Sequence, residues 1–528
     1  MRGGRALRWL ARALALAVIA AACFGLTYGV MHRPWERMVP YREDPAALAS
    51  DRDLVLAAVD ELPAGTGLGP DIVMVVLDTL RADHLELYGY PHSTMPRLTS
   101  WAARGRVHDA FTSTSSWTLP AHASLFTGQY PSTHRAHGRT LEADHLRRLI
   151  TGRSGMRVLE RPLGERSVTV AERLWEQGYT TIGIAANRAF LSSVWGLDQG
   201  FDVWVCEQVQ GGATYLPYTR ADRITAMSLE AVDATLPDLV FPEQPGRAPV
   251  FLFVNYMEPH GPYVPREGYV RDPSALRWMY RSGSARDRLA VQVLSEKKAL
   301  PLDVKAAWQE AYDAELRFLD EQLALLLVGL EERGIGPDAH IIIASDHGEY
   351  FGEHQLLAHS KDLYQQALRV PLIVRGPGVE PGRDPRPLQI QDLAAEMIAV
   401  AGAEPLERAE PSGELQVAEL YGSRGRDLRN GRYGRRFNRV RRAFLQGDRK
   451  VILGSDGSFE AYDLSLDPSE MEDRSDEPWA LELAAQAQAW MAARGIDDQV
   501  PQPDQEDDEE AEVDDANLEA LRALGYVD

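Results

Sequence analysis

The chain has 528 residues, too many for one ordinary core, which predicts a large domain with a smaller appendage. Its apolar and charged fractions, 45% and 25%, are those of a folded protein, and a formal net charge of −22 argues against nucleic acid as a partner, because phosphate binding needs a basic face. Two cysteines, Cys23 and Cys206, provide neither a disulfide framework nor a cysteine metal site. Arg2, Arg5, Arg8 and Arg12 precede an uncharged apolar run, so residues 1–34 read as a signal anchor or a cleaved signal peptide. The expected location is the cell envelope, with the protein membrane-anchored or secreted to the periplasmic or extracellular side. Residues 35–69 mix Pro, Asp, Arg and Ala without a period and read as a spacer with one short helix near 45–62.

The first predicted strand, 71–77, is a continuous apolar run after Asp71, too short for a helix and suited to the centre of a parallel sheet. It ends at Asp78. Further strands are predicted at 180–186, leading into Asn187; at 250–255, running into EPHGPY at 258–263; at 339–344, stopping at SDHGE at 345–349; and at 370–374. Helices are predicted from Pro120, at 168–177, at 388–401, and at 303–333, where Trp308, Leu316, Leu323 and Leu330 share one face. Strands alternating with helices predict an α/β fold, a mostly parallel sheet sandwiched by helices. Short strands at 442–445, 450–453 and 458–462, separated by Gly-Asp and Asp-Gly turns, predict a small C-terminal antiparallel sheet. The expected division is a catalytic domain at 70–410, a C-terminal subdomain at 411–500, and an acidic tail with a short terminal helix at 501–528. The arginine-rich run 424–442 reads as a solvated loop balancing an acidic protein, rather than as an anionic-substrate or lipid-headgroup surface.

In open α/β sheets chemistry gathers at the carboxyl ends of strands. Asp78, His260, Asp346 and His347 all follow predicted strands. Thr118, just before a Pro-initiated helix, is a natural N-cap. Together these residues also offer the hard oxygen and imidazole donors that a divalent cation needs, and such a cation would activate the Thr118 hydroxyl. His359 and Lys361 are candidates for neutralising substrate oxygens or protonating a leaving group.

The segments VLDTLRADH (76–84), TLPAHASLFTG (118–128), WGLDQGF (195–201), EPHGPY, SDHGE and LRVPLIV (368–374), in this order, resemble the sulfatase family of the alkaline-phosphatase-like superfamily. The resemblance implies a sulfuric or phosphoric ester hydrolase of alkaline-phosphatase-like fold. Two positions depart from sulfatases proper. Thr118 stands where their formylglycine precursor, Cys or Ser, belongs, with His122 in place of the motif's Arg, and Thr79 replaces the second acid of the Asp-Asp metal pair. The remaining set is similar to that of the phosphoethanolamine transferases and lipoteichoic acid synthases of the same superfamily, which use threonine and one divalent ion. The resemblance therefore implies Asp78, Thr118, Asp346 and His347 as ligands of one divalent metal ion (Ca, Mn, Mg or Zn). It makes Thr118 the nucleophile and leaves His122, His260, His359 and Lys361 on the substrate side.

The expected substrate is a sulfated or phosphorylated small molecule, glycan or lipid, with a membrane contact through the amino-terminal segment. Two other readings are a phosphoethanolamine- or glycerophosphate-type transferase acting on envelope lipid or glycan, and a non-catalytic binding protein on a decayed sulfatase fold.

Overall fold

Six consecutive apolar residues with no accessible surface, Ile72–Leu77, form strand β1 in the middle of an eight-stranded sheet. A computed structural model describes residues 52–58, 69–141, 160–206, 218–235, 248–263, 266, 268–273, 283–496, 513 and 515–523. The amino-terminal run at 1–34 and the acidic block at 504–512 lie outside the described residues, and of 35–69 only 52–58, which are helical, and 69 are described. Among the described residues no helix is long and apolar enough to cross a membrane. All of them fall in one compact unit, Ala46–Asp528.

The strands after β1 are β2 (Arg106–Thr112), β3 (Thr180–Ala185), β4 (Val203–Val205), β5 (Val250–Tyr256) and β6 (His340–Ala344). They are followed by the small hairpin of β7 (Tyr350–Phe351) and β8 (Leu357–Ala358), then β9 (Leu372–Arg375) and β10 (Gly382–Gln389). The sheet order is β10-β2-β9-β6-β1-β5-β3-β4. Pairing is parallel except at β9, which runs antiparallel to both β6 and β2. The mostly parallel sheet is thus as expected, and the strand expected at 370–374 is the reversed one. Its connection from β6 holds a hairpin and a single helical turn at Gln365–Leu368 rather than a crossover helix, so the chain returns antiparallel.

Helices cover both faces. One layer holds α1 (Pro96–Ala102), α4 (Ala221–Thr235) and the long α5 (Leu302–Glu332); the other holds α2 (Thr118–Thr127), α3 (Val170–Glu176) and α6 (Asp392–Ala401). The alternation of β5 shows the division, because Phe253 meets Phe126 of α2 at 5.0 Å between ring centroids while Tyr256, of opposite parity, hydrogen-bonds Thr225 of α4 at 2.7 Å. Burial on both faces is why β1, β3 and β5 read as unbroken apolar runs.

A second sheet, β11 (Gln416–Tyr421), β12 (Val440–Gln446), β13 (Arg449–Gly454) and β14 (Phe459–Asp463), is an antiparallel meander covered by α7 (Pro478–Ala493). The terminal helix α8 (Asp515–Ala523) packs on the helical turn Arg188–Leu191. The solvated-loop reading of 424–442 agrees with the exposed Arg432 and Arg435 but fails at the end of the run. Arg441 and Arg442 lie in β12 and are 0% and 3% exposed. Arg441 pairs with Asp362 of the β8–β9 segment and with Glu460 of β14, and Arg442 with Glu419 of the neighbouring β11, because β12 is a central strand whose side chains are covered on both faces.

Candidate active site

The carboxyl ends of β1, β6 and β3 and the start of α2 meet at one point. Asp78 follows β1, Asp346 and His347 follow β6, and all three are fully buried. One ligand atom from each lies within 4.8 Å of the others. Thr118 Oγ1 is 3.5 Å from Asp78 Oδ2 and 3.4 Å from His347 Nε2. The N-cap of α2 is Trp117 rather than Thr118, so the threonine is the first helical residue and its hydroxyl serves this cluster instead of capping the helix.

The donor set suits a cation. Asp78 Oδ1 and Asp346 Oδ2 are buried oxygens without hydrogen-bond partners. His347 Nδ1 donates to the Gly348 carbonyl at 3.0 Å, which leaves Nε2 as a bare lone pair 3.4 Å from Asp346 Oδ2 and 3.8 Å from Asp78 Oδ1. Burial pushes Asp346 up to about 7 and raises Asp78 well above the carboxylate range, with the neighbouring Asp346 charge adding to the rise. Burial pulls His347 down, towards the neutral ligand form. Two buried like charges are costly without a counterion.

The local backbone enforces this geometry. Thr79 has a φ of 57°, a left-handed conformation unusual for a β-branched residue, and its N–H donates to Asp346 Oδ1 at 3.2 Å. Gly348 is required by contact, since a Cβ there would fall 2.1 Å from the Gln366 carbonyl oxygen.

The remaining expected residues fall at different depths. His347, His359 and His260 form a row, with ring centroids 4.7 Å and 4.8 Å apart. His260 donates from Nδ1 to the Gly261 carbonyl, and burial pulls it down to about 3. His359 Nδ1 contacts Glu349 Oε1 at 3.3 Å. His122 packs edge-on against Phe126 and Phe253 in the apolar layer between α2 and β5, and its Nδ1 donates to the Thr118 carbonyl at 3.0 Å. Lys361 is 2% exposed and donates to Asp427 and, at 3.2 Å, to the His359 carbonyl.

Two residues with no expected role join the site. Asn187, just past the end of β3, donates from Nδ2 to Asp78 Oδ2 at 2.9 Å and to Thr118 Oγ1 at 3.4 Å, while its Oδ1 accepts from Phe190 N at 3.2 Å. The sequence signal was its place directly after an apolar strand. Glu349, inside SDHGE, accepts from the Tyr263 hydroxyl, and burial pushes it up to about 7.

A mostly parallel sheet with carboxylates, imidazoles and a buried hydroxyl at its carboxyl edge places these groups where open α/β enzymes carry their chemistry. The model of the Sulfatase family matches residues 70–403. Among curated relatives, the uncharacterized sulfatase YidJ of Escherichia coli (strain K12) is 27% identical over 77% of this chain and 83% of its own length. The choline-sulfatase of Rhizobium meliloti is 25% identical over 63% of this chain and 68% of its own. Among solved structures, the phosphonate monoester hydrolase of Agrobacterium radiobacter superposes with a TM-score of 0.58 at 19% identity, covering 81% of this chain and 95% of that one. The protein BT4656, in complex with its substrate D-glucosamine-2-N,6-O-disulfate, gives 0.59 at 15% identity, covering 83% and 100%.

The chain belongs to the sulfatase family, whose members hydrolyse sulfuric esters and generally depend on a divalent metal.

Proposed function

We propose that the chain cleaves a sulfate or phosphate ester by attack of Thr118, with a divalent cation held by Asp78, Asp346, His347 and Thr118 itself. The observation that carries this reading is the Thr118 hydroxyl set within 3.5 Å of Asp78 and His347, beside two buried carboxylate oxygens without partners. A bound cation would lower the pKa of the hydroxyl and offset negative charge on the transferring group. Asp78 Oδ2 accepts the Thr118 proton, and the Asn187 amide holds both groups in register. A bond forms from Oγ1 to sulfur or phosphorus as the bond to the ester oxygen breaks. The leaving oxygen takes its proton from His359, whose ring recovers one from Glu349. Water then attacks the threonyl ester, giving a proton through His359 to Glu349, while Asp78 returns its proton to Oγ1 as the bond to sulfur or phosphorus breaks; the inorganic anion leaves and the hydroxyl is restored. His122, bonded to the Thr118 carbonyl, acts as a positioning residue. Export to the cell envelope is part of this reading, supported by the arginines and the apolar run at 1–34.

The test is a panel of aryl sulfate, phosphate monoester and phosphodiester substrates, assayed with Ca, Mn, Mg and Zn. Thr118→Ala is expected to lower kcat by about 10⁴-fold or more, as loss of a nucleophile does elsewhere. High-resolution mass spectrometry of a trapped Thr118 adduct separates sulfate from phosphate. Full activity in Thr118→Ala, alongside loss in Asp346→Asn, would remove Thr118 from the nucleophile's role.

A further inference from the structure

The strip of chain that leaves β11 leads to Asp427, the partner of Lys361. Gly422 N and Ser423 N donate to the carbonyls of Arg439 and Phe437 at 3.0 and 3.2 Å, which ties the strip to the approach to β12. Arg424 is the N-cap of the short helix Gly425–Arg429, and its side chain is 12% exposed. Its Nε donates to Asp427 Oδ2 at 3.4 Å. The same oxygen accepts from Ser423 Oγ at 3.0 Å and from Lys361 Nζ. Lys361 donates in turn to the carbonyl of His359, whose ring lies between those of His260 and His347.

One buried carboxylate therefore sets two cations side by side at the edge of the histidine row. A single salt bridge needs one cation, whereas a cradle for an incoming anion is built from several. Arginine's planar fork suits a carboxylate or sulfate better than a lysine ammonium does.

We propose that Arg424, positioned by Asp427 beside Lys361, recognises a second anionic group on the substrate next to the ester that is cleaved. The proposal rests on the ester-hydrolase reading above and narrows its substrate to one that is already anionic elsewhere, through a carboxylate or a further sulfate. Arg424 is then a specificity-determining residue supplied by the smaller sheet to a site built on the larger one.

The test uses the full chain and two nitrophenyl esters of whichever acid the substrate panel selects, one plain and one bearing a ring carboxylate. A ring-sulfonated analogue distinguishes the two anion sources. Wild type is expected to prefer the charged esters. In Arg424→Gln the ratio of kcat/KM for charged over plain ester falls about tenfold or more, mostly through KM, as for loss of a charge-assisted hydrogen-bonded pair. Arg424→Lys, which keeps the charge and loses the fork, falls in between, and it carries the test if Arg424→Gln does not fold. Equal losses on both esters, or an unchanged ratio, would overturn the proposal. If wild type cleaves none of the esters, the ester-hydrolase reading fails separately. Calorimetric binding of the ring-carboxylated phosphonate analogue to wild type and Arg424→Gln then decides the anion site by itself.

Discussion

His134 illustrates how a buried imidazole is kept neutral outside the site. Its Nδ1 accepts from Ala136 N at 3.0 Å and its Nε2 faces Ser124 Oγ at 3.1 Å, so the ring is neutral with its proton on Nε2. Burial pulls its pKa down to about 3. Below pH 6.5 the unfolded chain takes up a proton that the folded chain refuses, so the stability His134 contributes is lost as pH falls from 6.5 towards 3. At pH 5 that loss is about 2 kcal/mol. Urea midpoints measured from pH 7 to pH 5 are expected to fall less steeply in His134→Gln than in wild type, and parallel curves would contradict the linkage. At this scale the metal candidates were legible, because Asp78, Asp346 and His347 each follow an apolar strand and Thr118 precedes a Pro-initiated helix. Asn187 was not, because its role depends on which way its amide faces, and the helical turn it caps at 188–191 decides that. The pairing of Lys361 with Asp427 was not legible for a related reason, since Asp427 comes from a distant part of the chain.

The segment from β8 to β9 is one of the elements on which the two sheets meet, beside the contact of β10 with β11. It carries His359 and Lys361, and the smaller sheet holds it at three places. Asp362 pairs with Arg439 and Arg441, the Leu363 carbonyl accepts from Lys450 Nζ at 2.6 Å, and Gln365 N donates to Glu470. Lys450 and Glu470 are both fully buried and paired at 2.6 Å. Removing one partner leaves the other charge uncompensated, so Lys450→Met is expected to cost about 3–5 kcal/mol in urea unfolding. Pairing it with Glu470→Gln should recover part of the loss, and a neutral Lys450→Met would mean that the pair adds nothing. Elements of this kind were only partly readable. The apolar strands β1, β3, β5 and β6 announce themselves, as do the Gly-Asp and Asp-Gly turns of the smaller sheet. β10 does not, because Pro385 and Pro387 speak against a strand. An edge position with a bulge between Asp384 and Pro387 accommodates them.

At the scale of the whole molecule, the metal candidates belong to the assembled sheet and not to any segment. Asp78 and Asp346 are far apart in sequence and come together only because β1 and β6 pair in parallel, with Val76 opposite Ala344. An unfolded chain has no such site, so a cation that binds there binds the folded state alone and adds to its stability. At a hundredfold excess over Kd the gain is about 2.7 kcal/mol. Without the cation, burial and the nearby carboxylate act against ionisation of Asp78, and burial holds Asp346 up at about 7. Asp346→Asn removes one of the two buried charges together with a ligand. Chelator-treated wild type is therefore expected to melt no higher than chelator-treated Asp346→Asn at neutral pH. Adding Ca, Mn, Mg or Zn in turn should raise the wild-type midpoint for at least one ion and leave the variant where it was. Thermal melts of the full chain with and without chelator read both effects independently of turnover, and an equal shift in wild type and Asp346→Asn would place the cation elsewhere.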